Sequence, residues 1–438
     1  MRHAQVLLVI WGGGTCVLWA SASKVDYVAK LNELMTRGTG ESLNAAPIYE
    51  QAFESYVAAS ISVDGKDIGR WPPELPADKQ RALAAWVRSN AEALDRLREG
   101  TRRSGYWLQY QGDMVFWDIG GDDRPAETRE LFWALIFAAK SKAVEGDTTG
   151  AVEDVLAGCR FASDMRQKLF FHEQMVGISL LGSALEAAFQ ILDRTDVKVP
   201  LLESLQDGIV QISKRHNDRI DLRAEELAAL DVVQHVLGGL TEATPFSRTD
   251  EFDKAAARVS AVLGIEMSAE ELYRSLFTHY PAGLKDLVIK GYAHYSEIIR
   301  ETPIEWKRQG IDFDLEIDEW TGGNLLLVSL VPAVDLGSTV SFRCQVTRDA
   351  LATTVALLRY ENEKGQFPAS LSDLVSAGYL SGLPMDPYGD GPLGYRRTAD
   401  NFVLYSLGAD FDDDGGAPSR WGQDEQGGDQ VFWPVSRD

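Results

Sequence analysis

The fold of the C-terminal quarter is decided by the stretch YENEKGQFP, residues 360–368. Before it, apolar residues recur at helical spacing over residues 340–360 and predict a helix with one apolar face. Gly365 favours a helix end, because glycine adopts the left-handed backbone conformation without steric cost. Pro368 then turns the chain, since proline cannot continue a helix. The sequence therefore predicts a long helix followed at once by a turn.

Short elements follow this turn closely. SLSDLV (370–375) predicts a capped short helix, and LPMDP (383–387) predicts an extended turn fixed by two prolines. The predicted strands contain aromatic or β-branched residues, as strands do, and comprise residues 394–397, 402–405 and 431–433. Residues 326–438 thus predict a small α+β domain with a three-stranded antiparallel sheet.

Three phrases of this region, in this order, resemble the globular head of the major pseudopilins of type II secretion systems. They are LRYENEKGQFP (358–368), GYLSGLPMDP (378–387) and LYSLGAD (404–410), in a region that covers about a quarter of the chain. The resemblance implies a small α+β head behind a long helix. It also implies partners among secretion-system or cell-envelope proteins.

The chain departs from that family on the N-terminal side of the head. Pseudopilins begin with a cleaved leader, followed by an unbroken hydrophobic helix that packs into a filament. Here the segment before Leu325 is polar and contains Asp318 and Glu319. We therefore expect a pseudopilin-like head fused behind a helical domain, without the stem that assembles filaments.

The loop LGADFDDDGG (407–416) places four carboxylates in five positions. Like charges this close repel unless a cation neutralises them. Asp410, Asp412 and Asp414 followed by a glycine are typical of the opening of an EF-hand loop, which binds Ca²⁺ through oxygen atoms. The twelfth position is Trp421, so the closing glutamate of such a loop is missing. The residues predict a calcium site, with a solvated acidic turn as the alternative.

The resemblance to pseudopilins implies a different closure of this site. In that family, calcium lies between the Leu-Gly-Ala-Asp segment and an aspartate just before the last strand. The matching positions are the carbonyl of Leu407, the side chain of Asp410, the carbonyl of Asp412 and the side chain of Asp429. Residues 417–426 lengthen the loop relative to the family. The predicted metal ligands are therefore Leu407, Asp410, Asp412, Asp414 and Asp429.

The first 22 residues predict an export signal. Arg2 supplies a positive start, residues 6–19 are apolar, and Ala20-Ser21-Ala22 is a small-residue cleavage site. An uncleaved membrane anchor is the alternative, because the apolar stretch is at the short end of the ~17–25 residues that span a bilayer. Export predicts a location in the periplasm or cell envelope.

Residues 24–309 predict a mainly α domain, because apolar residues recur at intervals of three and four. One hairpin, residues 138–153, resembles a unit of a tetratricopeptide-like repeat. A sustained period near ~34 residues is missing, so we predict an irregular helical domain, with a helical repeat as second choice. Residues 310–325 are rich in acidic residues and predict a solvated linker to the C-terminal domain or an edge segment.

Aromatic residues are frequent in the region 106–133, and two interpretations are open. Such side chains line ligand clefts, which would suit an extracytoplasmic hydrolase or a carbohydrate-binding protein. They also bury large apolar areas, and we expect them in the core.

The sequence leaves two alternatives open for Cys159 and Cys344: a disulfide in an oxidising compartment, or two small buried thiols.

The formal net charge of −23 argues against a nucleic-acid partner, because phosphates are neutralised by clustered Lys and Arg. The sequence contains no phosphate-binding loop, serine-hydrolase elbow or zinc-protease motif. Its six histidines are scattered, and carboxylate pairs such as Glu225-Glu226 predict solvated helix faces. We therefore expect a non-enzymatic structural or interaction protein whose partners are other proteins.

Overall fold

The computed structural model describes residues 25–35, 40–112, 125–215, 219–237, 249–263, 266–272, 284–419 and 427–436. The described part is mostly helical, with a small three-stranded antiparallel sheet near the C-terminus. The predicted general class is therefore confirmed. The predicted signal (1–22) and residues 113–124 of the aromatic region lie outside the described residues.

Helices form most of the chain up to the sheet. In chain order they are α1 (Tyr27–Met35), α2 (Ala46–Glu54), α3 (Gly65–Gly69), α4 (Ala77–Ser89), α5 (Ala91–Gly100), α6 (Pro125–Val144), α7 (Thr148–Arg166), α8 (Phe171–Arg194), α9 (Val199–Arg215), α10 (Arg223–Leu237), α11 (Thr249–Leu263), α12 (Leu284–Ile298), α13 (Pro303–Gln309), α14 (Phe313–Thr321), α15 (Leu325–Val328), α16 (Val334–Lys364) and α17 (Leu371–Ser376). Short 3₁₀ turns span Glu41–Leu43 and Pro72–Glu74.

Helices α6 and α7 form the hairpin that the sequence predicts. Gly146 turns the chain with a φ of 90°, a conformation that favours glycine. The Asp147 side chain accepts a hydrogen bond from the Gly150 N–H at 2.9 Å and caps α7. The Asp147 N–H donates to the Lys142 carbonyl at 2.9 Å, which satisfies a carbonyl at the end of α6. Local turn chemistry thus fixes how these two long helices meet.

Helix α8 lies in the middle of the helical part and packs along α7. Among the described helices, it alone is long and apolar enough to cross a membrane by length and composition, with a mean hydropathy of 1.6 in its most apolar window. In this fold, 61% of that window is buried inside the protein. Packing therefore accounts for its apolar composition.

Helix α16 joins the helical part to the sheet. It packs against α8 and α9, and also against α17 and strands β2 (Phe402–Ser406) and β3 (Gln430–Trp433). It begins at Val334, earlier than predicted, and Gly365 ends it with a φ of 73°. One hydrophobic core runs from Tyr27 to Trp433 through this helix.

The sheet has the order β1-β2-β3, with β1 spanning Gly394–Arg397, and both pairs are antiparallel. Phe402 stacks on Trp433 with ring centroids 5.6 Å apart. On β3, Phe432 stacks against Phe189 of α8 at 6.3 Å. Aromatic packing of this kind adds to apolar burial, and it holds the sheet against the helices.

The segment 310–325, for which the sequence predicted a solvated linker or an edge segment, is mostly helical. The Asp312 side chain accepts hydrogen bonds from two N–H groups in the first turn of α14, at 3.1 and 3.2 Å, and caps that helix. The Trp320 indole donates to the Leu287 carbonyl of α12 at 2.8 Å. The acidic residues occupy the outer side of a short docked helix. A domain boundary at this segment stays a prediction.

Aromatic side chains of the N-terminal half contribute to the core. Those that are at most 7% exposed include Trp71, Trp86, Tyr106 and Tyr110. Their burial agrees with the core interpretation of this region. The side chains of Cys159 and Cys344 are buried as well, and burial raises the pKa of the Cys159 thiol to about 12.

Two glycines of α8 test its packing against α7. A Cβ at Gly177 would lie 2.3 Å from the backbone nitrogen of Arg166, whereas a Cβ at Gly182 would meet no atom within 4 Å. We expect Gly177→Ala to lower the free energy of unfolding by about 1–3 kcal/mol through overpacking. Gly182→Ala should raise it by up to about 1 kcal/mol through helix propensity. Urea unfolding measures the free energy of unfolding of both variants. Equal changes in the two variants would contradict the close approach of α7 and α8.

Candidate metal site at the C-terminal loop

The acidic loop 407–416 leaves the end of β2 and returns to the residues just before β3. A Cβ added at Gly408 would lie 3.5 Å from the Gly428 carbonyl oxygen, so the two segments touch. The φ of Gly408 is 75°, and glycine meets both requirements of the turn. The fold therefore brings the loop beside Asp429.

Phe411 carries backbone strain at the tip of this turn. Its φ is 64°, a value that is uncommon for residues other than glycine and persists only where the surroundings enforce it. Its ring lies 5.9 Å from that of Tyr388 and 4.5 Å from the Lys307 ammonium. Lys307 also donates to the Asp410 carbonyl at 3.3 Å. Helix α13 thus holds the loop in place.

Asp386, in the predicted Leu-Pro-x-Asp-Pro turn, anchors the start of the loop. Its carboxylate accepts hydrogen bonds from the Leu407 N–H (2.8 Å), the Ser406 hydroxyl (2.8 Å) and the Tyr388 N–H (3.0 Å). The residue is 4% exposed. Burial raises the pKa of this carboxyl, and the three donors act against that rise. Asp386 therefore fixes where Leu407 sits.

The structure brings Asp410 and Asp429 to the same place. Asp410 Oδ2 accepts a hydrogen bond from the Gly428 N–H at 2.8 Å. Asp429 Oδ2 accepts one from the Gly416 N–H at 2.7 Å. Each aspartate thus binds the backbone of the segment that carries the other. These two predicted ligands clamp the loop to the residues before β3.

Asp429 has one oxygen that this clamp does not use. The residue is fully buried, and Oδ1 has no hydrogen-bond partner among the described residues. Burial raises the pKa of Asp429 to about 6; the backbone N–H groups of Gly416 and Asp414 act against the rise, and the charges of Asp413 and Asp414 add to it. A buried carboxylate oxygen without a donor is costly, so this atom has capacity for a further ligand.

The other predicted side chains lie at the rim. Asp412 and Asp414 are exposed, and Asp412 Oδ1 accepts a hydrogen bond from the Asp413 N–H at 3.0 Å. Within the described ranges, no three His, Cys, Asp or Glu side chains gather closely enough to hold a metal. The three alternating carboxylates are therefore not gathered as an EF-hand loop would require. Asp410 and Asp429 each bind a backbone N–H of the segment that carries the other.

Sequence reasoning missed a pair of carboxylates in the helical part, of which Glu173 is buried and Glu225 is half-buried. Glu225 was predicted to be solvated, but it accepts a hydrogen bond from the Phe171 N–H at 2.6 Å. Burial raises the pKa of Glu225 to about 7, and nearby Glu173 adds to the rise. Glu173 is itself 7% exposed and accepts from the Tyr110 hydroxyl at 3.2 Å. Nothing in the local sequence of α10 signals this burial.

Comparisons of the chain with models of known protein families, with curated proteins and with solved structures found no match. The geometry of the described residues is therefore the basis for any functional proposal. It offers one candidate metal site, at the acidic loop 407–416 and Asp429.

The anchoring by Asp386 can be tested with a nearly isosteric change. In Asp386→Asn, an amide nitrogen replaces one oxygen and faces a backbone N–H donor. We expect the free energy of unfolding to fall by about 1–3 kcal/mol, because a buried donor loses its acceptor. Asp400→Asn is the matched control, since Asp400 is exposed in the turn between β1 and β2. Thermal and urea unfolding measure both, and a neutral Asp386→Asn would contradict the anchoring role.

Glu225 should make stability depend on pH. Its folded pKa of about 7 exceeds the ordinary value of about 4.3, so its stabilising contribution is complete below pH ~4 and is lost as pH rises through 7. Glu225→Gln keeps the acceptor for Phe171 but does not titrate. We expect the free energy of unfolding of this variant to exceed that of the wild type at pH 8 by roughly 1–3 kcal/mol. This difference should disappear toward pH ~4.5.

Urea unfolding between pH 4.5 and 8 measures this difference. Glu92→Gln, at an exposed position of α5, serves as the control and should follow the wild type at each pH. A Glu225→Gln difference that does not change with pH would rule out the raised pKa as its cause.

Proposed function

We propose that this chain is an exported, non-enzymatic structural or interaction protein with a pseudopilin-like head closed by Ca²⁺. The succession of a long helix, a short helix, a hairpin and a third antiparallel strand over residues 326–438 supports the head. The helical part, residues 24–309, would supply contacts to partner proteins. Secretion-system or cell-envelope components are the partners that the resemblance suggests.

The free oxygen of Asp429 is the observation that carries the calcium proposal. Oxygen ligands are what Ca²⁺ binds, and Oδ1 of Asp429 is buried without a donor. Asp410 and Asp429 would hold the ion through their side chains, and Leu407 and Asp412 through their carbonyls. Asp414, exposed at the rim, would be a further oxygen donor. Bound calcium would neutralise the acidic loop and join it to β3.

An enzymatic alternative receives less support. A hydrolase or carbohydrate-binding cleft in the region 106–133 would need exposed aromatic rings. Tyr106 and Tyr110 are buried, at 5% and 2% exposure, and Trp107 and Trp133 are half-buried; Phe116 and Trp117 lie outside the described residues. The burial of the two tyrosines favours a structural role for this region.

The calcium proposal predicts a ligand-dependent stability. At pH 7.5, 1 mM CaCl₂ should raise the melting temperature of the full chain by roughly 2–4 °C over EDTA, as expected for a ligand at about 100 times its Kd. The gain should shrink at pH 5, because protonated Asp429 is a poor ligand. Differential scanning calorimetry measures both conditions, with 1 mM MgCl₂ as a comparison.

Two isosteric variants sharpen this test. Asp429→Asn should lose the calcium-dependent rise in melting temperature. In EDTA its melting temperature should match or exceed that of the wild type, because the substitution removes a buried charge. Asp400→Asn, in the exposed hairpin turn between β1 and β2, should keep the full gain. A wild type that does not respond to calcium would remove the metal from the proposal.

A further inference from the structure

Two adjoining cavities open between α5, α7 and α9, far along the chain from the acidic loop. Their volumes are about 470 and 520 Å³. They share Thr101, Arg102 and Arg160 in their walls, so they form one continuous depression. We call it the arginine cleft.

The walls of the arginine cleft are rich in cations, although the whole chain carries a net charge of −23. The cationic side chains are Arg98, Arg102, Arg103, Lys142 and Arg160. The second cavity has three of these arginines and no carboxylate in its wall. The cleft is therefore a local exception to the charge of the protein.

Two of the three carboxylates in the wall of the first cavity are ion-paired. Asp154, buried at the floor, binds the Arg98 guanidinium through both oxygens, at 2.7 and 3.1 Å. Lys142 binds the same carboxylate at 2.7 Å, and Asp95 is paired with the other side of Arg98, also at 2.7 Å. The third carboxylate, Glu153, is exposed. The network fixes the floor, while Arg102 at the rim is exposed to solvent.

Arg102 is the rim residue best placed to bind a ligand. It is exposed, and its guanidinium makes no hydrogen bond or ion pair with another described residue. The floor beside it includes buried apolar side chains, Leu156 and Ile212, each 5% exposed. A ligand that carries both carboxylates and aliphatic groups matches this combination.

The size of the cleft and the charge of the protein narrow the class of ligand. The two cavities together hold several amino-acid residues, far more than one inorganic anion. Long polyanions such as nucleic acid would be repelled by the remaining acidic surface. A short acidic peptide satisfies both conditions.

We propose that the arginine cleft binds an acidic peptide segment of a partner protein. Arg102 would bind a carboxylate of that segment, and Leu156 and Ile212 would contact its aliphatic groups. The proposal rests on the proposed interaction role of the helical part and gives the chemistry of its partner. It is independent of calcium.

Fluorescence anisotropy with a labelled hexaglutamate peptide tests the cleft on the full chain in about 50 mM NaCl. We expect saturable binding that weakens by about tenfold or more in Arg102→Glu, because a charge-assisted contact becomes a repulsion. Arg88→Glu, an equal charge change at an exposed site of α4, should bind within about twofold of the wild type. Arg102 is exposed, so both variants should keep the wild-type circular dichroism spectrum.

Several outcomes would overturn the proposal. The wild type could fail to bind the peptide, or both variants could weaken binding equally, which would indicate a general charge effect. Complete competition by 10 mM inorganic phosphate would assign the cleft to small anions, and equal affinity for a single-stranded oligonucleotide would assign it to polyanions. Titrations in calcium and in EDTA separate this proposal from the metal site, because failure of either one leaves the other intact.

Discussion

The packing of α16 is the constraint on which the other features depend. This helix packs against α8 and α9 and also against β2 and β3. Leu351, Val355 and Leu357 of this helix are completely buried. Because the sheet is held against α16, the ends of β2 and β3 are fixed, and they in turn fix the acidic loop. The candidate metal site is therefore a consequence of helix packing some distance away.

A polar contact reinforces this arrangement at the end of α16. Arg359 donates to Gln206 of α9 at 2.7 Å and to Glu203 at 2.8 Å. Gln206 in turn donates to the Tyr379 carbonyl at 2.7 Å, beyond α17. The helical part thus binds the long helix and the segment that follows it.

The sequence predicted those elements whose causes are local. The helix end at Gly365, the hairpin at Gly146 and the three strands each depend on a few neighbouring residues, and all of them are found in the structure. The acidic segment around Asp312 was not predicted to be helical, because its charges suggested a solvated segment. In the structure, Trp320 docks this segment onto α12.

The sequence could not predict which carboxylates are buried, because their burial depends on partners that are distant in the chain. Glu225 binds the backbone of Phe171, 54 positions earlier, and Asp386 binds Leu407, 21 positions later. The meeting of Asp410 and Asp429 was expected only from the resemblance to pseudopilins, since the intervening residues give no spacing rule. Local patterns therefore gave the elements, while long-range contacts determine the chemistry of the site.

Charge is distributed unevenly over this protein, and the two proposed sites respond to it in opposite ways. In the acidic loop, Asp412, Asp413 and Asp414 are exposed, whereas Asp429 is buried, so salt screens the rim carboxylates more than the buried one. The arginine cleft presents Arg102 to solvent, where charges more than about 10 Å apart are largely screened at 0.1 M salt. The two sites also lie on different elements of the chain, so a protein of one net charge can attract a cation and an anion at separate places.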